Sequence, residues 1–184
     1  RELIDTHYRE VDNMYRQMRG WRHDYRNHIQ TLKVLAENGD LPAIIWDDVT
    51  LTWCQNDRYH RGNDMPAFVR PDGTKEWWFE GKLHRDGDLP AVENSDGSRQ
   101  WFQKDRLHRD GDLPAVVHAD GAQSWYQNGL THRDGDLPAQ IKVDGTRMWC
   151  TLGVAHRDDD RPAYIRADGT QEWFHNGEKH RDGD

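Results

Sequence analysis

Histidine, arginine and aspartate recur side by side in this chain, and that trio invites metal ligation, calcium binding or acid–base work. His60, His84, His108, His132, His156 and His180 fall 24 residues apart, and each is followed by Arg. Behind His84, His108, His132 and His180 the chain continues as Asp-Gly-Asp. Zinc needs ligands that converge on one tetrahedral point. Residues one repeat apart on paired strands lie roughly 10 Å from each other, too far to share an ion. Asp134 and Asp136 are the calcium candidates, since each offers carboxylate oxygens, but no Glu sits at a closing position. The reading preferred here is structural: Asp and Gly make a turn, and His-Arg makes side-chain bonds to the loop. Cys54 and Cys150 occupy one repeat column four units apart, which places them roughly 40 Å from each other. A disulfide needs Cα atoms within about 7 Å. Two free thiols at packed positions suit a reducing, cytoplasmic setting. No nucleophile elbow, phosphate loop, dinucleotide fingerprint or zinc-protease helix is present. No enzyme activity and no cofactor are expected.

The elements that must position these residues follow from the repeat. Asp40, Asp64, Asp88, Asp112, Asp136, Asp160 and Asp184 are spaced by 24. Pro-Ala follows two residues behind each of the first six. Trp53, Trp77, Trp101, Trp125, Trp149 and Trp173 form another unbroken column. Residues 112–135 read DLPAVVHADGAQSWYQNGLTHRDG. Val116-Val117 is a short strand, Asp120-Gly121 a hairpin turn, and Ala122 to Gln127 the returning strand. Each of six units over residues 40–184 is therefore predicted to be one β-hairpin plus a loop. The hairpins are expected to pair edge to edge, as a twisted antiparallel sheet or a flattened solenoid. Adjacent aromatics such as Trp125 and Tyr126 must point to opposite faces of one strand. The Trp column is expected to carry the packing, with Ile45, Val69, Val117, Ile141 and Ile165 filling the gaps.

An aromatic, then Asn-Gly, a His and a later Asp-Gly stand here as WYQNGLTHRDG and WFHNGEKHRDG. In this pattern residues 40–184 resemble MORN repeats, although MORN repeats place a Gly after the His where this chain has Arg. The resemblance implies a scaffold or a binding and dimerising module.

Residues 1–39 have another character. Ile4, Val11, Met18, Tyr25 and Leu32 form one heptad position, and His7, Met14, Trp21, His28 and Leu35 the other. That spacing predicts one long α-helix, either lying on the first repeats or dimerising through residues 3–35. Within it, the run Arg22-His23-Asp24-Tyr25-Arg26-Asn27-His28-Ile29 resembles the H-box of GHKL-type sensor histidine kinases. The resemblance makes His23 the phosphoacceptor, Asp24 its assisting acid and Asn27 a polar partner. The ATP-binding domain of those kinases is missing, because the β repeat begins at residue 40.

Composition narrows the partners. Hydrophobic residues make up only 34% of the 184 and mean hydropathy is −1.13, low for a globule with one central core. Nine Trp, six Tyr and four Phe argue against disorder and suit a thin structure that buries rings between units. The net charge is −8, with 18 Lys/Arg against 27 Asp/Glu beyond residue 39. That sign disfavours nucleic acid and anionic lipid as partners. The expected function is a non-enzymatic protein- or peptide-binding scaffold. The alternatives are a phosphotransfer fragment acting through His23, or an engineered fusion of helix and array without evolved function.

Overall fold

A computed structural model describes residues 44–45 and 50–182, all within the unit Ile44–Asp184. The Asp-Gly pair of each repeat closes a first hairpin. In residues 112–135 its strands are Val116–Val117 and Gln123–Ser124. Gly121 has φ 93°, the left-handed residue that completes a three-residue hairpin loop. Its N–H donates to the His118 carbonyl at 3.0 Å. Asp120 Oδ1 accepts the Ala122 N–H at 2.9 Å, so the turn uses Asp as much as Gly. The same carboxylate-to-backbone bond recurs at Asp72, Asp96, Asp144 and Asp168.

One hairpin per unit was the expectation, and the structure corrects it to two. The first hairpin ends just before the tryptophan. After Trp125, Tyr126–Gln127 pairs with Leu130–Thr131 around Asn128-Gly129, with φ of 52° and 88°. Two successive left-handed residues are what a two-residue hairpin loop requires. The tryptophan breaks the strand because its backbone serves two partners. The Trp125 N–H donates to the Ala139 carbonyl at 2.8 Å, and its own carbonyl accepts the His132 N–H at 3.1 Å. Trp125 and Tyr126 therefore do not share one strand. Only in the last unit does a single strand, Gln171–His175, hold Trp173 and Phe174, and its register with Glu178–Asp182 shifts between them.

First hairpins join in chain order into one antiparallel sheet, to which Glu178–Asp182, the return strand of the last unit, adds the thirteenth strand. Ser124 pairs with Gln140, and Gln123 with Ile141, across one boundary between units. Second hairpins form five separate two-stranded sheets, linked through their turns. Gly129 N–H donates to Leu107 O at 2.8 Å, and Gly153 N–H to Thr131 O at 2.9 Å. The rings of Tyr59, Phe68 and Trp78, with centroids 4.5 to 5.7 Å apart, bring a second hairpin against the sheet.

The six column tryptophans are 4% to 8% exposed. Ala67, Ala91, Ala115, Ala139 and Ala163 are fully buried, while the expected fillers Val69, Val117, Ile141 and Ile165 are only half-buried. The side chain of Ile45 lies outside the described ones. Alanine holds the buried place because the preceding unit's Trp N–H bonds its carbonyl, and a larger side chain would push those backbones apart.

A mainly β array carrying one long α-helix was expected. The described residues correct this: they are all β, with no helix among them. The helix assigned to residues 1–39, and with it the heptad seam over residues 3–35, lies outside the described residues.

Candidate functional site

The chemistry-bearing residues gather where each unit turns into the next. Gly87 and Asp88 are both left-handed, φ 75° and 55°, as are Gly111-Asp112 and Gly135-Asp136. Asn63-Asp64 and Asp159-Asp160 adopt the same pair without glycine; Asn and Asp tolerate that region best among other residues. This corner aims the backbone carbonyl of the second residue at an indole. Trp77, Trp101, Trp125, Trp149 and Trp173 donate Nε1–H to the carbonyls of Asp64, Asp88, Asp112, Asp136 and Asp160 at 3.0 to 3.1 Å.

The arginine after each histidine completes the junction. Arg133 grips Asp112 with Nε and Nη2 at 2.7 and 2.9 Å and donates Nη1–H to the Pro138 carbonyl at 3.3 Å. Its guanidinium lies 3.8 Å above the Trp125 ring. Arg85, Arg109 and Arg157 repeat the fork on Asp64, Asp88 and Asp136. They also repeat the stacking, on Trp77, Trp101 and Trp149. A planar fork suits this site, since it meets a carboxylate with two parallel bonds while its face covers a ring. Hydrogen bonding by Arg holds the carboxyls of Asp64, Asp88, Asp112 and Asp136 below their ordinary 3.8.

His108, His132 and His156 span two bonds each. Nε2 of His84, His108, His132 and His156 meets the carboxylate two residues on, at 3.0 to 3.1 Å. Nδ1 of His108, His132 and His156 accepts a backbone N–H from the next unit's second turn, at Asn128, Leu152 and Asn176. His60 does the same for Glu80. An Nδ1 that accepts leaves the proton on Nε2, so both nitrogens of His108, His132 and His156 are engaged. His84 differs, since its buried Nδ1 has no partner among the described residues. His180 stands exposed in the last strand.

These bonds also place the calcium candidates. Asp134 binds His132. Asp136 is held by Arg157 and by Arg161. Among the described residues no group of three His, Cys, Asp or Glu could hold a metal ion. Cys54 and Cys150 are free thiols. Burial pushes the Cys150 thiol up to about 11 and raises Cys54, with Asp57 adding to it. Neither forms a thiolate readily. His23, Asp24 and Asn27 lie outside the described residues.

Among the described residues, four clefts of one design lie between successive loops. The largest, about 500 Å³, runs between His132-Arg133-Asp134 and His156-Arg157-Asp158 and is floored by Trp149. Two of about 400 Å³ lie beside Trp101 and Trp77, and a smaller one beside Trp125. The loop carboxylates of Asp86, Asp110, Asp134 and Asp158 stand in solvent at their rims. In water-exposed form they make a row of negative charges, one per unit.

Sequence reading anticipated side-chain bonds from His-Arg to the loop but missed that Arg133 and its equivalents join Trp to Asp. The signal existed: Asp112 and Arg133 are 21 residues apart, and so is every equivalent pair from Asp40 and Arg61 to Asp160 and Arg181. Columns that stay in phase with an indole column point to a shared contact. Compared with protein-family models the chain matches none, and no curated protein matches it.

Proposed function

We propose that the array is a non-enzymatic protein-interaction module of MORN-like repeats, and that its row of clefts takes an extended basic polypeptide. The observation that carries this reading is the recurrence, at four successive junctions, of a cleft walled by His-Arg loops and rimmed by an exposed carboxylate. The Arg, His and remaining Asp side chains of the walls are spent on internal bonds, which makes the walls rigid and suits recognition more than turnover. Each unit advances two strands, about 9.6 Å. A polyproline II chain rises about 9.3 Å per three-residue turn, so a cation at every third residue meets one carboxylate per unit.

The probe is a fluorescent (Pro-Pro-Lys)5 peptide, read by anisotropy beside a peptide of the same composition with its lysines clustered. The evenly spaced peptide binds more tightly, and added salt weakens it. Replacing Asp86, Asp110, Asp134 and Asp158 together by Asn weakens it roughly tenfold or more. Equal affinity for both peptides, or no loss in the Asn variant, defeats the reading.

A further inference from the structure

The outward face of the second hairpins is unlike the loop edge. Its residues vary from unit to unit, and the variation is ordered. The residue just past each second turn is Arg58, Lys82, Arg106, Leu130, Val154 and Glu178 in succession. All six are exposed. They form one continuous column. A Cβ on Gly129 would lie 3.7 Å from Arg106 Cβ, one on Gly153 3.4 Å from Leu130 Cδ2, and one on Gly177 3.6 Å from Val154 Cβ. The column is basic in the first three units, apolar in the next two and acidic in the last.

Its apolar part is large for so thin a molecule. Leu130 is 46% exposed, Val154 43% and Leu152, in the turn between them, 60%. Arg106 and Glu178, which flank the patch one unit away on either side, have no ion-pair partner among the described residues. The order charge, apolar, apolar, opposite charge is self-complementary. A two-fold axis between the fourth and fifth units sets Leu130 against Val154 of a second copy. The same axis sets Arg106 against Glu178 of that copy, twice over by symmetry. The flanking columns are compatible, because Gln103, Gln127, Thr151 and His175 pair with these residues inside each hairpin and carry no opposing formal charge.

We propose that this face, across the third to sixth units, is the contact of a two-fold dimer, with a second copy of this chain as its occupant. Four hairpins span about 30 Å, the footprint of a modest interface that forms in a concentration-dependent way. Gln103, Gln127 and Thr151 also line the loop clefts, but the column Arg106, Leu130, Val154 and Glu178 lies outside that lining, so the proposal does not rest on what the clefts bind.

The test is sedimentation equilibrium of the full 184-residue chain over a wide concentration range. The wild type should show a monomer–dimer equilibrium. Arg106→Glu alone and Glu178→Arg alone each place like charges opposite one another and weaken dimerisation about tenfold or more. Combining Arg106→Glu with Glu178→Arg restores it, which misfolding could not do. Leu130→Asp, at the centre, weakens it as well, and circular dichroism of each variant matches the wild type. A wild type that is monomeric throughout, single charge variants that dimerise as well as the wild type, or a double variant no better than either single would each overturn the proposal.

Discussion

The loop edge and the second hairpins are built from the same repeat, yet they obey different rules. At the loop edge four successive junctions repeat the same three groups: an indole, a guanidinium stacked on it and an aspartate whose carbonyl takes the indole N–H and whose carboxylate takes the guanidinium. Three partners must meet in one place, so a change in any of them strands the other two. On the second hairpins the turn reads Asn-Asp, Glu-Gly, Lys-Asp, Asn-Gly, Leu-Gly and Asn-Gly, and the outward residues run through every chemical class. There only the backbone must match its neighbour, through bonds such as Gly129 N–H to Leu107 O. The array thus separates two tasks. Stability is concentrated where residues recur, and whatever distinguishes one unit from another is free to vary where they do not.

Deleting an indole should produce the largest effect. Trp125→Ala removes a buried ring, leaves the Asp112 carbonyl without its donor and Arg133 without its platform. A loss of about 3–5 kcal/mol is expected in urea unfolding, against under about 0.5 kcal/mol for Gln127→Ala on the outward face. Comparable losses at both positions would erase the division between the two regions. Overpacking comes next. Ala115→Leu forces apart the Trp101 N–H and the carbonyl of residue 115, bonded at 2.8 Å, and should cost about 1–3 kcal/mol.

Arg133→Lys sharpens the comparison by keeping the charge while removing the fork and the flat face. A loss of about 1–2 kcal/mol is expected, visible as a lower melting temperature; Arg106→Lys on the second hairpin should leave the monomer's melting unchanged. The carboxylate side of the same junction has a pH signature. Arg133 holds Asp112 below its ordinary 3.8, so the pair adds stability above that value and loses it as pH falls through the depressed one. Asp112→Asn should therefore melt below the wild type at neutral pH, with the gap closing in acid below about pH 4. Because Asp112 is half in solvent, the gap is small, under about 1 kcal/mol. A gap that widens in acid has the wrong sign. The smallest change is a gain. Lys104 opens its turn at φ 50°, a conformation that Asn adopts more easily, so Lys104→Asn should raise stability by about 0.5 kcal/mol in thermal melts.

Much of this was legible in the residues themselves. The 24-residue period, the Asp-Gly hairpin and the buried Trp column follow from local rules, since turn chemistry acts within four residues and an indole repeated in phase has to be shielded. The second hairpin was hidden for a physical reason. Its strands are two residues long, too short to display an alternation. The Arg fork was hidden differently. Asp112 and Arg133 meet only because the chain runs through two hairpins between them, and the spacing says that they recur together without saying that they touch.

The sequence by itself determined the unit: its length, its first turn, its β character and the rings that must be covered. Tertiary structure alone decided how the unit divides and joins. Trp125 bonds three segments at once, through its indole N–H, its backbone N–H and its carbonyl. Which of those partners a residue finds depends on where the chain returns in space, and no local preference encodes that.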